Sequence, residues 1–521
     1  MRKCSNMTID SLKQSLERAR EDYQSECEFA RFLLDAYTGR GGFEGRIKQP
    51  PSSYWGEAAE TYARYALTTA RDLATRDGSY LDRYEREDHP KFAKRVEVAH
   101  YLNYVAPITN LYVSYLVRKP HARSGIPPKV DEWITETGFD DGARLRATRA
   151  AVLGWFPVVV DMPAADPSAT TLAQSGARAP YATELLPCHL LDYEVDDEGE
   201  FIWAKTRVSS SERGQWDAPA VRVDRYTIWT ASEFEYYEVH DGQSIVNTNT
   251  GSHAFGEVPI VIYRSGVSVD SSLKSESPLA AISIEARRLF NLVSELDEHL
   301  RAQVFAILMI PTREGSPPAI VGNKNALAFD PDAKQAPAYL APPASIANTY
   351  ETRIEATVKE IYRMARVEYT RSSGSGQSAE SRKTEFEQTN LAIADLADSL
   401  ADAELRELIL VGRGLGVPED QLRQMSVVAA DSFDTDELNQ ELERLTALLT
   451  VAEFGKTFRG ELLKRVAARV LPNLDRITAA EIGDEIDQAV IDEDRDKTIV
   501  SVSDEPADDD EPADDAAAAA Q

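Results

Sequence analysis

The chain has 521 residues and a formal net charge of −30, because 87 acidic residues outnumber 57 Lys and Arg residues. Hydrophobic residues make up 43% of it, which predicts folded domains with real cores and excludes a chain disordered throughout. The acidic excess argues against a protein that binds phosphate backbones tightly, since that affinity comes from Lys and Arg. The length predicts two to four domains.

The cysteines and the apolar runs indicate the environment of the chain. Cys4, Cys27 and Cys188 are odd in number and far apart, which is typical of reduced thiols. The N-terminus, MRKCSNMTID, lacks the apolar stretch of a signal peptide. The longest apolar runs, AVLGWFPVVV (151–160) and VFAILMI (304–310), are too short to cross a bilayer and fit buried strands. We therefore expect no membrane association.

The N-terminal part of the chain is predicted to be helical. Apolar residues at spacings of three and four predict an amphipathic helix over 8–38, followed by a Gly/Pro-rich connector at 37–53. A second helical region is expected from about 56 to 76. A long aromatic-rich helix is expected over 91–120, bent near Pro107 and stopped by Pro120. Its tyrosines, among them Tyr101 and Tyr112, are interpreted as packing residues.

From about 150 to 268 the pattern changes to that of strands. The β-branched and aromatic bias predicts an antiparallel sheet region with short polar turns. The predicted strands are 201–208, 220–230, 234–240 and 258–264.

Helical periodicity returns over 276–307. Ser277 can cap this helix, and Pro278 occupies an early position that tolerates proline. A compact insert with candidate strands at 304–310 and 326–329 comes next, and helices follow at about 347–367 and 379–412. The predicted helix over 276–307 carries an apolar stripe of Ile282, Ala286, Leu289, Val293, Leu296, Leu300 and Val304. The predicted helix over 379–412 carries a second stripe of Ile393, Leu396, Leu400 and Ala403.

The stretch RSSGSGQSAES (371–381) separates two of these helices. It is either a plain linker or a pliable loop facing something that moves past it. Beyond it, residues 434–493 predict a small helical unit, with a capping box at Thr478 and Glu481 and a staple between Ile477 and Ile482. Residues 503–521 are acidic and repetitive, which predicts disorder.

Signatures of catalysis are missing from the sequence. A GKT occurs at Gly455–Thr457, but Thr450 occupies the position where a phosphate-binding loop needs glycine. The seven histidines form no metal-binding spacing, and no GxSxG motif occurs. We therefore expect no enzymatic activity, no cofactor and no metal site.

The order of these segments resembles the portal proteins of tailed bacteriophages. Four stretches carry the resemblance, within about residues 55–415: GSYLDRYEREDHPKFAKRVEVAHYLNYVAPITNLYVSYLVRKP (78–120), AVLGWFPVVVDMP (151–163), ESPLAAISIEARRLFNLVSELDEHLRAQ (276–303) and SAESRKTEFEQTNLAIADLADSLADAE (378–404). None is a strict signature; their co-occurrence and order are what is specific. The acidic tail falls outside the shared pattern.

The resemblance implies an α+β fold that forms a ring, usually of twelve copies, at one capsid vertex of the virion. The ring would be a channel for packaging and ejecting double-stranded DNA. Its partners would be the terminase large subunit, the head–tail adaptor, and the major capsid and scaffolding proteins, with assembly in the host cytoplasm. By position, the parts would be a wing (1–275), stem helices (276–304 and 347–367), a small α/β clip (305–346), a tunnel loop (368–378), a long helix with a connector (379–429) and a helical crown (430–495). The acidic tail (496–521), which lies outside the shared pattern, is predicted to be disordered from its composition.

Two sets of site residues follow. The DNA-facing tunnel loop would comprise Arg371, Ser372, Ser373, Gly374, Ser375, Gly376 and Gln377. The clip residues that would meet partners are Arg313, Glu314, Lys324 and Asn325. Three alternatives stay open at this point: another virion structural protein such as a head–tail adaptor or minor capsid component, a cytosolic enzyme with an unfamiliar site, and a DNA-binding regulator, which the charge disfavours.

Overall fold

Helices and strands occur in separate blocks along the chain, so the protein is α+β as predicted. The computed structural model describes residues 9–44, 79–163, 179–266, 273–304, 307–311, 326–329, 338–340, 345–367 and 379–430, apart from a few single positions, and some isolated residues between 460 and 488. The contacts divide the chain into two units, 1–433 and 434–521.

Two N-terminal helices, α1 (Ile9–Glu17) and α2 (Tyr23–Thr38), precede the sheets. The 8–38 helix was therefore predicted in the right place, but it is interrupted between Glu17 and Tyr23. Leu16 of α1 packs on Leu191, Tyr226, Tyr237 and Val239 of the largest sheet. Lys205 of that sheet donates from Nζ to the carbonyl oxygens of Ser15, at 3.1 Å, and Arg18, which satisfies carbonyls at the end of α1.

The segment 91–120 is not one bent helix, so that prediction was wrong. It forms α3 (His89–Val98) and α4 (Val105–Arg118), with 99–104 non-helical between them. Asn103 accepts the backbone N–H of Ala106 at 2.9 Å, so an Asn side chain starts the second helix. Pro107 lies in its first turn, where a missing N–H costs nothing. The predicted packing role of the tyrosines is confirmed: Tyr112 is buried, and Tyr101 stacks on Phe43 with ring centroids 4.1 Å apart.

After the short strand β1 (Ala122–Ser124), two helices lead into the sheets: α5 (Pro128–Thr137) and α6 (Ala143–Leu153). Residues 151–153 therefore end a helix, and the predicted buried strand begins only at Trp155. Gly154, at φ +84°, makes the turn; a Cβ there would lie 2.5 Å from the backbone of Ser275 and Ser277.

The strand predictions between 150 and 268 are confirmed. A five-stranded antiparallel sheet runs in sequence order through β4 (Leu190–Val195), β5 (Phe201–Glu212), β6 (Val221–Thr230), β7 (Glu233–His240) and β8 (Ser244–Ser252). A second antiparallel sheet has the order β3-β2-β9, with β2 (Trp155–Asp161) between β3 (Tyr181–Glu184) and β9 (Ile260–Arg264). Because β2 is central, its side chains are buried up to Val160, which explains its unbroken apolar run.

The C-terminal half of the first unit is built on three long helices: α7 (Ala280–Val304), α8 (Ser345–Met364) and α9 (Ala379–Gly414). Ser277 Oγ accepts the N–H of Leu279 at 3.1 Å, so the predicted cap is confirmed. Between α7 and α8 lie the strands β10 (Ile307–Pro311), β11 (Ala326–Phe329) and β12 (Ala338–Leu340). β10 pairs parallel with β11 and antiparallel with β12. A short helix, α10 (Glu419–Leu422), and β13 (Ser426–Val428), paired with β1, follow α9.

In the second unit the structure describes single helical positions, among them Ile482 and Glu485. Thr478, Glu481 and Ile477, on which the predicted cap and staple depend, lie outside the described residues, as do 56–76 and the acidic tail. Of the helices that are described, none is long and apolar enough to cross a membrane.

Candidate functional site

The candidate site is the pair of helices α7 and α8 with the small sheet β10–β12 between them in sequence. The two helices pack against each other, and β12 precedes the start of α8 by a few residues. The sequence predicted both helices and two of the three strands. What it did not show is how differently the two halves of α7 are packed.

The first half of α7 is attached to the N-terminal part of the chain by polar groups, of which Asn291 is buried. Asn291 accepts the backbone N–H of Asp82 at 2.7 Å and donates to the carbonyl oxygen of Tyr80 at 3.1 Å. Arg287 donates to the same carbonyl at 3.2 Å and pairs with the Asp82 carboxylate at 2.8 Å. These bonds join residues about two hundred positions apart, so they hold the base of α7 in one orientation.

A buried ion pair extends this attachment by one more helical turn. Arg95 of α3 holds Glu87 at 2.8 Å and lies 3.5 Å from Ser294 Oγ on α7. Both partners of the pair are almost completely buried. Removing the side chain of either partner would leave the other charge buried and unpaired, which destabilises the folded state.

Among the described residues, the second half of α7 is more exposed than the first. The buried residues of this helix are Ile282, Ser283, Ala286, Leu289, Phe290, Asn291 and Ser294, and all of Glu295–Val304, which the structure describes in full, is at least partly exposed. Leu300 is 42% exposed and Val304 is 70% exposed, while Ile346 at the start of α8 is 39% exposed. The predicted stripe is therefore buried at its base and open at its end. Leu300 and Val304 are four residues apart, so they lie on the same face of α7.

The open halves of the two helices carry more acid than base. Over 295–304 and 345–354 the sequence has Glu295, Asp297, Glu298 and Glu351 against Arg301 and Arg353, which is a net charge of −2. Arg301 pairs with Glu298 at 2.8 Å on the same helix. Such a surface repels DNA weakly rather than holding it.

A second polar cluster lies on α9, one end of which follows the predicted tunnel loop in sequence. Tyr263 of β9 donates to Glu407 Oε2 at 2.6 Å. Arg123 donates to Glu404 Oε1 at 2.6 Å, and His121 Nδ1 lies 2.9 Å from Glu404 Oε2. The two glutamates lie one turn apart, in phase with the buried Leu400 and Val411, so both carboxylates face the core.

Their environments push their pKa values in opposite directions. Burial raises the pKa of Glu407 to about 7, and the charge of Arg146 and the hydrogen bond from Tyr263 offset this only in part. Burial would also raise the pKa of Glu404, but the hydrogen bond from His121 and the charge of Arg123 outweigh it and hold that pKa below its ordinary value. At neutral pH the Glu404 carboxylate is therefore ionised, while the Glu407 carboxylate titrates.

The site residues predicted from the sequence lie outside the described residues. This holds for Arg371–Gln377 and for Arg313, Glu314, Lys324 and Asn325. The described structure supplies their flanks: α8 ends at Met364 and α9 begins at Ala379, and β10 and β11 border the clip residues in sequence.

Sequence reasoning missed the polar groups that fix α7 and α9. A signal was present, because Asn291, Ser294, Glu404 and Glu407 interrupt apolar faces at helical spacing. Their partners could not be found in this way, since they come from distant segments.

No family model matches the chain, and no curated protein matches it. Among the described residues, no group of three or more His, Cys, Asp or Glu side chains is placed to hold a metal ion.

Proposed function

We propose that this chain is the subunit of a portal ring of a tailed bacteriophage, a non-enzymatic channel through which double-stranded DNA is packaged and ejected. The observation that carries the proposal is the pair α7 and α8, anchored at its base and bearing exposed apolar residues at its end. A ring of copies covers Leu300, Val304 and Ile346 by contact with the neighbouring pair. The segment order of portal proteins supports the same assignment of stem and clip.

Simple geometry agrees with a ring of twelve. Packed helices lie roughly 8–10 Å apart, so twelve helices in a circle place their axes on a diameter of about 35 Å. Subtracting one helix thickness of about 10 Å leaves a bore of roughly 25 Å, which admits a DNA duplex and little more.

The charge supports a conduit rather than a binding groove. Twelve copies at −30 each give a formal ring charge near −360. Like charge keeps DNA from adhering while it moves, and the effect weakens with salt. In this proposal the tunnel loop touches DNA transiently through Arg371 and its serines, and the clip docks the terminase large subunit and later the head–tail adaptor.

Electron microscopy of the purified, negatively stained protein tests the proposal. End-on views are expected to show a closed ring with a central hole about as wide as the bore estimated above. A protein that stays monomeric at every concentration and salt condition would contradict it. Tight duplex binding that does not weaken with salt would contradict the conduit.

A further inference from the structure

Two of the cysteines, about 160 positions apart in sequence, lie side by side in the fold. Cys27 is on α2, and Cys188 is in the 3₁₀ turn Pro187–His189, which leads directly into β4. Both thiols are free, and they are 1% and 7% exposed. Their side chains are in hydrogen-bonding contact. The fold therefore places one thiol against another at the junction of a helix and a sheet.

Hydrogen bonds to the backbone on either side hold this junction together. Tyr23 Oη donates to the carbonyl oxygen of Cys188 at 2.7 Å. Arg20, just before α2, donates its backbone N–H to the carbonyl oxygen of Leu191 in β4 at 3.3 Å. Tyr23 and Cys27 are four residues apart, so they lie on the same face of α2. The approach of the two thiols is thus set by the positions of the backbones that carry them.

Two guanidinium groups flank the thiol pair. Arg207 of β5 donates to Tyr23 Oη at 3.1 Å, and the Arg20 guanidinium lies 5.4 Å from the centroid of the Tyr23 ring. Their charges favour the thiolate of Cys188, but burial outweighs them and raises the pKa of that thiol well above its ordinary value. The reactive thiolate is therefore scarce at neutral pH, so we expect thiol exchange to be slow and to become faster as the pH rises.

We propose that Cys27 and Cys188 form a reversible disulfide that ties α2 to β4 when the surroundings of the protein become oxidising. The bond between the sulfur atoms is about 2 Å long, so the two thiols need only a short approach from their present contact. The alternative is that the two cysteines act only as small apolar packing residues. The two roles differ in whether the thiols react with each other.

The oxidant we name is a low-molecular-weight disulfide such as glutathione disulfide. One cysteine thiolate attacks a glutathione sulfur, which forms a mixed disulfide and releases one glutathione thiolate. The second cysteine thiolate then attacks the protein-bound sulfur, which forms the Cys27–Cys188 bond and releases the second glutathione thiolate. Two protein thiols are oxidised, one glutathione disulfide is reduced, and the two protons of the cysteines pass to the two glutathione molecules.

The disulfide would stabilise the protein through the length of chain that it encloses. Closing a loop of about 160 residues removes many conformations from the unfolded chain and leaves the folded chain nearly unchanged. The oxidised protein should therefore resist urea better than the reduced protein. This effect lies within one subunit, so it goes beyond the proposed function and does not depend on the ring.

The test uses the full chain with Cys4→Ser, which leaves Cys27 and Cys188 as its only cysteines. The folded protein is incubated with glutathione disulfide at about pH 8.5 until its composition no longer changes. Intact mass is expected to fall by two hydrogen atoms, and peptide mapping should find the two cysteine-containing peptides joined. The urea midpoint should rise by on the order of 1 M and return after reduction with dithiothreitol.

The matched controls are Cys27→Ser and Cys188→Ser in the same background. Each keeps one thiol, so it can gain one glutathione but cannot lose two hydrogen atoms, and its urea midpoint should not rise on oxidation. The mass and the peptide map of the Cys4→Ser protein need no change at the pair itself. The result therefore stands even where a serine control folds poorly.

The outcomes separate this inference from the proposed function. Two free thiols at the end of the incubation, or two glutathione adducts in place of the bond, would overturn the disulfide and leave simple packing. Closed rings together with unlinked thiols would overturn this inference and leave the ring. A disulfide in a protein that stays monomeric in every condition would support this inference and contradict the ring.

Discussion

The two glutamates of α9 give the sharpest test of the structure, because they are one turn apart and predict opposite effects. We expect Glu407→Gln to stabilise the protein at alkaline pH and to change little at acidic pH. The reason is that Glu407 is buried beside Glu404 and Glu184, and only Arg146 and the Tyr263 hydroxyl offset its charge. Gln keeps an acceptor for Tyr263 and removes the charge.

The magnitude follows from the pKa. The ordinary pKa of 4.5 applies in the unfolded chain and about 7 in the folded protein, so the folded state binds the proton more tightly. At pH values below the unfolded pKa, Glu407 is protonated in both states and does not lower the free energy of unfolding. As pH rises from there through the folded pKa, the free energy of unfolding falls by about 3 kcal/mol. In the Glu407→Gln variant this fall in the free energy of unfolding with rising pH is absent, because the side chain carries no charge.

Urea unfolding at about pH 5 and about pH 8.5, followed by circular dichroism at one fixed protein concentration, measures the difference. The control is Glu404→Gln. Because the pKa of Glu404 is lowered, its contribution is present above the unfolded pKa and is lost as pH falls through the folded pKa, so this variant should be destabilised at neutral pH. Equal pH profiles for Glu407→Gln and the natural protein would refute the reasoning.

Three further predictions concern the helix pair and the loop after it. Asn291→Ala removes the bonds to Tyr80 and Asp82 and should lower the free energy of unfolding by about 1–3 kcal/mol, whereas Thr352→Ala on the exposed face of α8 should change it little. Leu300→Asp combined with Val304→Asp should prevent ring formation, seen as a monomer by light scattering, with unfolding unchanged because both side chains are exposed; normal rings would count against the proposed interface. Deleting Ser372–Gly376 should leave the ring intact but impair DNA packaging or retention, and normal genome filling would contradict the tunnel-loop role.

Local patterns were enough to predict the main elements. The alternation of β-branched and aromatic residues placed β5, β6, β7 and β9, and Ser277 with Pro278 marked the start of α7. These signals work because they depend on neighbours in sequence. The prediction of one helix over 91–120 failed because a partly buried tyrosine such as Tyr101 satisfies the same apolar pattern from a non-helical segment that packs on Phe43.

The candidate site was less predictable for a physical reason. The base of α7 is fixed by backbone groups of Tyr80 and Asp82, and the identity of a residue does not reveal where its carbonyl points. The exposure of Leu300 and Val304 likewise depends on which other segments pack against them. The spacing of apolar residues along the helix does not contain that information. Charge and segment order carried the functional prediction, and both describe the chain as a whole.

The pairing of β1 with β13 has a practical consequence. Ala122 lies opposite Val428, so the last described strand of the first unit returns to a segment three hundred residues earlier and ends just before the boundary at Phe433. The described strands of the first unit therefore all end before the second unit begins. A stop codon or a fluorescent reporter placed directly after that boundary interrupts none of the strands described for the first unit, which makes this junction a suitable place to divide the gene.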